Sequence, residues 1–156
     1  MGGAVVKKGH PWFLPFLALV TASALSACGS ATSPTPGLNI LASVSSQTAT
    51  SLTFRIGVEN TGTKTESLNF RSSQFFDIEV RDAHGRLVWR LSDNAVFLDL
   101  VWSLELAPGE SSVREYAWDL TGDDQRSLPA GSYRAWILIT NSPRNEDLAT
   151  DLRLTI

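Results

Sequence analysis

Between Phe75 and Asp93 two runs rich in β-branched and aromatic residues flank a short polar turn, and this stretch narrows the possible folds more than any other. Phe76, Ile78 and Val80 alternate with Asp77, Glu79 and Arg81, the period of two that marks a strand with one buried face. After the turn Leu87, Trp89 and Leu91 repeat the pattern, with Val88 and Arg90 on the opposite side. Gly85 can adopt the positive φ that closes a short hairpin loop.

The same signature extends from Leu38 to the end of the chain, and no stretch there keeps an apolar stripe at helical spacing. Leu38, Ile40, Ala42 and Val44 alternate, as do Leu52, Phe54, Ile56 and Val58 before an Asn60-Thr61-Gly62 turn. Residues 66–70 form a short strand, and residues 103–106 form another that stops at Pro108-Gly109. In 113–120 the face bearing Tyr116, Trp118 and Leu120 also receives Arg114, which suggests a bulge or a strand entrance nearby. Residues 122–130 read as a polar loop. Tyr133, Ala135, Ile137 and Ile139 then form the best candidate for a strand buried on both sides, and 148–156 returns with Leu152, Leu154 and Ile156 inward. Many short strands with no helix for a crossover predict an all-β fold, an antiparallel β-sandwich of immunoglobulin-like type over residues 38–156.

The amino-terminal residues carry an address. Lys7 and Lys8 precede the apolar run Trp12-Phe13-Leu14-Pro15-Phe16-Leu17-Ala18-Leu19-Val20, which is followed by small residues and Leu25-Ser26-Ala27-Cys28. A basic region, a short apolar core and a small-residue cleavage site describe a secretory signal peptide over residues 1–27, too short for a membrane-spanning helix. The last four of these residues resemble a bacterial lipobox. That resemblance implies cleavage between Ala27 and Cys28, diacylglycerol on the Cys28 thiol and a lipoprotein held on the cell-envelope membrane outside the cytoplasm. Residues 28–37, rich in Ser, Thr, Pro and Gly, read as a flexible tether.

From Cys28 onward eleven Lys and Arg face sixteen Asp and Glu, a formal charge of −5, which argues against a nucleic-acid partner. The single cysteine excludes an internal disulfide and a Cys-pair zinc site. One histidine, His84, remains after the leader. It falls in the hairpin turn, and no Gly-x-Ser-x-Gly elbow accompanies it, so no catalytic residues are assigned. Asp119, Asp123 and Asp124 surround Gly122 without the spacing of a calcium loop, so neither a metal nor another cofactor is expected.

The order of further landmarks is recognisable: Val58-Glu59-Asn60 with Gly62, Leu68-Asn69-Phe70, Phe76-Asp77, Gly85-Arg86-Leu87-Val88-Trp89, Leu91-Ser92, Phe97, Leu106-Ala107-Pro108-Gly109-Glu110, Trp118 and Pro129-Ala130-Gly131-Ser132-Tyr133. This series, covering residues 52–139, resembles the intracellular proteinase inhibitor family, BsuPI. The resemblance implies an all-β domain without catalysis or cofactor, and inhibition of serine proteinases of the subtilisin kind. With an export leader in front, it implies an extracytoplasmic proteinase as partner. The alternative is a non-inhibitory structural or assembly module that pairs with envelope components through a sheet edge.

Within the landmarks, Asn69, Asp77 and Ser92 are expected to hydrogen-bond turn backbone, and Trp89 and Trp118 to lie in the core. Two segments are long enough to be presented to a partner, 122–130 and the apolar Ala95-Val96-Phe97-Leu98-Asp99-Leu100-Val101-Trp102. The second reads either as a further buried strand or as an exposed patch with Trp102 as an anchor.

Overall fold

The computed structural model describes residues 37–144 and 148–156. The leader, the Ala27–Cys28 cleavage site and residues 28–36 of the tether lie outside them. The regular structure of the described chain is nearly all strand: β1 (Leu38–Gln47), β2 (Leu52–Asn60), β3 (Glu66–Ser72), β4 (Phe76–Asp82), β5 (Leu87–Arg90), a one-turn helix α1 (Leu91–Asn94), β6 (Asp99–Leu106), β7 (Ser111–Trp118), β8 (Ser132–Ile139) and β9 (Ala149–Thr155).

Every pairing is antiparallel. A three-stranded sheet of order β1-β2-β7 and a two-stranded sheet β3-β6 share one hydrophobic core with a four-stranded sheet of order β5-β4-β8-β9. The result is the sandwich that the alternation predicts. Leu52, Phe54, Ile56 and Val58 point inward from β2, and Phe76, Ile78 and Val80 meet them from β4, all buried. Trp89 lies over Trp118 with ring centroids 5.0 Å apart, and Trp118 over Phe54 at 6.2 Å, so aromatic rings fill the core between the layers.

Four readings of the sequence need correction. Of the bulge or strand entrance expected near Arg114, the entrance is there, since β7 starts at Ser111, but the bulge is not, because β7 keeps an unbroken register with β2 in which Arg114 faces Ile56. The guanidinium instead lies 5.4 Å from the centre of the Phe75 ring, an apolar face that suits it. The second arm of the hairpin ends at Arg90, where Leu91–Asn94 turns helical, since Asp77 accepts both the N–H and the hydroxyl of Ser92 (3.1 and 2.9 Å). On β8 only Leu138 of the outer face is buried, while Arg134 is exposed and Trp136 half-buried. The strand expected from Ser103 begins at Asp99.

Candidate partner-binding site

The family landmarks build the frame. Asn60, wholly buried, donates from Nδ2 to the carbonyls of Lys64 and Leu106 (2.7 and 2.8 Å) and accepts the Gly62 N–H (2.9 Å), joining the end of β2 to β6. Gly85 has φ +80° and donates to the Asp82 carbonyl, whose own carboxylate accepts the His84 and Arg86 N–H groups. Pro108-Gly109 turns with Gly109 at φ +79°, and the Gly109 N–H reaches the Asn60 carbonyl at 2.7 Å. The Val88 carbonyl accepts the Asp123 N–H.

The Tyr133 hydroxyl donates to the Pro129 carbonyl (2.8 Å), while Gly131 and Ile156 exchange a pair of backbone hydrogen bonds. Phe70 stacks on Trp102 at 4.2 Å. Asn69 is exposed and uses its backbone carbonyl to accept the Ser142 N–H, with no side-chain hydrogen bond among the described residues. These residues are dispersed over both layers. They converge on no cleft, and His84 is exposed on its turn.

The two loop candidates differ sharply. In 122–130 the chain bonds to itself and to its neighbours: Gly122 N–H to Arg126 O, Gln125 N–H to Gly122 O, and Asp123 N–H to Val88 O, each 2.9 Å. The two acids there, and Asp119 just before them, are committed to nearby donors. Asp119 accepts from Thr121, Asp124 from the Arg126 N–H, and Asp123 from Asn94 Nδ2 and the Arg90 N–H. Among the described residues no group of acids, His or Cys is arranged to hold a metal ion.

Residues 95–101 are organised the other way, to face solvent. Ala95 is extended (φ −128°, ψ 150°). Ala95 and Phe97 pack against the core while Val96 and Leu98 point out. Exposure is 95% at Val96, 68% at Leu98, 44% at Leu100 and 82% at Val101, so four large aliphatic side chains within six residues face water. The backbone beneath them is pinned. Ser73 donates its N–H to the Leu98 carbonyl and accepts the Leu98 N–H at Oγ, both 2.9 Å, and Trp102 Nε1 donates to the Ser72 carbonyl at 2.7 Å. Asp123 steadies the other end through Asn94 Nδ2 (2.6 Å).

Half of the expectation for Ala95–Trp102 therefore stands corrected. Its second half is a strand, but its aliphatic residues are exposed, and Trp102 is part of the frame rather than a free anchor.

An ion-paired carboxylate, Glu79, lies elsewhere, on the outer face of the four-stranded sheet. Burial acts to raise the pKa of the Glu79 carboxyl, but hydrogen bonds and charge from Arg81 and Arg90 outweigh it and hold it below the usual carboxylate range.

A family model described as intracellular proteinase inhibitor, BsuPI, matches residues 39–144. No curated protein matches. Among solved structures, a β-glucosidase from Kluyveromyces marxianus is 15% identical, with 78% of this chain and 14% of that chain covered and a TM-score of 0.45. β-Glucosidase 3B from Thermotoga neapolitana is 15% identical over 77% of this chain and 16% of that one, with a TM-score of 0.44. The chain thus spans about one-seventh of the length of such enzymes, and at these scores the likeness carries no weight for its function.

Proposed function

The chain belongs to the intracellular proteinase inhibitor family, BsuPI, and from that premise we propose that it inhibits a serine proteinase of the subtilisin kind by presenting residues 95–101 to the substrate cleft. The observation that carries this reading is the exposed aliphatic patch on a pinned, extended backbone. Proteinases bind substrates as extended segments, with backbone hydrogen bonds for affinity and pockets for alternate side chains. A segment already held in that shape loses little conformational entropy on docking. Val96 and Leu98 alternate outward and would enter apolar pockets, while Phe97 and Trp102 hold the segment on the core.

The test is residual proteinase activity at rising concentrations of the full chain. Stoichiometric loss with at least one subtilisin-type enzyme is expected; no loss with any of several overturns the reading. In that case the assembly-module reading takes its place, favoured by β6, which among the described residues pairs within its sheet with β3 alone.

The sequence of residues 1–28 supports a lipid-anchored, extracytoplasmic site of action, so the target we propose lies outside the cytoplasm. Acyl chains contribute about 0.8 kcal/mol per buried CH2, so lipid on Cys28 would hold the protein at a membrane. Cys28→Ser should move the protein from the membrane fraction to the soluble fraction or leave it unprocessed. Unchanged processing together with unchanged membrane partition would refute the anchor.

A further inference from the structure

The register of the four-stranded sheet places three arginines in one row. Arg81 of β4 is opposite Arg134 of β8, which is opposite Arg153 of β9, all on the outer face. Strands about 4.8 Å apart put the row across roughly 10 Å. Like charges directly opposite one another disfavour a sheet, and from Cys28 onward this chain carries more acid than base, so the row is a local reversal of its charge.

Of the nearby acids, Glu79 pairs with Arg81 and Asp82 with Arg86, which leaves Arg134 and Arg153 as the unpaired members of the row among the described residues. Both oxygens of Glu79 are taken, one by Arg90 and the other by Arg81. Asp151 stands one register row away, opposite Trp136. Among the described residues the side chains of Arg134 and Arg153 make neither an ion pair nor a hydrogen bond.

With Asp82, His84 and Gly85 of the hairpin turn, and with Ser132 and Tyr133, the row lines a cleft of about 640 Å³. Arg81 is fixed in position there, donating to Glu79 at 2.7 Å and to the Gly85 carbonyl at 3.1 Å. A planar guanidinium offers several N–H donors in a fork that matches carboxylate and phosphate oxygens, and Arg134 and Arg153, side by side next to the fixed Arg81, match a ligand with adjacent anionic groups.

We propose that this cleft binds a polyanion, a small ligand carrying two or more adjacent phosphate or carboxylate groups, at a site separate from residues 95–101. The anion neutralises the row that the register creates.

The full chain in neutral detergent at low ionic strength is titrated calorimetrically with sodium tripolyphosphate and, in a parallel arm, with citrate. Saturable one-site binding of at least one of the two is expected, and which one separates phosphate from carboxylate recognition. R134Q/R153Q should weaken it about tenfold or more, whereas R55Q, which alters an exposed arginine of β2, should leave it within about twofold. Without anion the double variant should unfold at the parent's midpoint or above, because opposed like charges have been removed, so loss of binding is kept apart from loss of fold. Absence of saturation with both anions overturns the proposal, as does affinity that R134Q/R153Q leaves intact or that R55Q lowers equally.

Discussion

Leu98→Asp, alone or with Val96→Asp, should abolish most of the proteinase inhibition while leaving the fold as stable as before. Leu98 is 68% exposed and Val96 95%, so neither contributes much to the core, and surface substitutions of this kind change stability by about 0.5 kcal/mol or less. In a docked complex the same position would sit in a desolvated apolar pocket, where a carboxylate costs about 2 kcal/mol or more, roughly a 30-fold weaker inhibition constant. The measurement is the inhibition constant beside a urea unfolding curve. A variant that inhibits as well as the parent would remove residues 95–101 from the interface.

The largest effect on stability is expected at Trp118. Its ring lies against Trp89 and Phe54, it is 2% exposed, and its indole N–H donates to the Thr121 carbonyl at 2.9 Å. Trp118→Ala would open a cavity between the two layers and leave that carbonyl without its donor, at a cost of about 3–5 kcal/mol. Domains of this size are stable by about 5–15 kcal/mol, so the variant should show a much lower denaturation midpoint or fail to fold. Trp118→Phe keeps most of the ring packing and should lose about 1–3 kcal/mol. If the alanine variant unfolds at the parental midpoint, the aromatic stack does not hold the layers together.

Much of the frame can be read from residues in order. Alternation in β2, β4 and β8 identifies inward faces because a period of two has one physical cause, and Gly85 and Gly109 mark turns because both adopt positive φ. Trp89 and Trp118 follow from the same alternation. The presented segment is harder to see. Ala95 to Trp102 is as apolar as a buried strand, and composition does not tell whether another layer will cover it; that depends on Ser73 and Asp123, which lie 25 and 25 positions from Leu98.

The arginine row is invisible to any local pattern. Arg81, Arg134 and Arg153 become neighbours only through the pairing of β4 with β8 and β8 with β9, and a slip of one residue would turn a strand's contribution to the other face. Arg114 misled for a related reason. Alternation treats a charge on an inward face as a fault in register, whereas its stem and guanidinium can cover an aromatic ring such as Phe75.

Hydrogen exchange reports the location of contact directly. The full chain is compared alone and bound to a subtilisin-type proteinase whose nucleophilic serine has been replaced by alanine. Backbone amides from Val96 to Val101 should exchange more slowly in the complex while those of 122–130 remain unchanged. Protection centred on 122–130, or no slowing in 95–101 at saturating proteinase, would contradict the account.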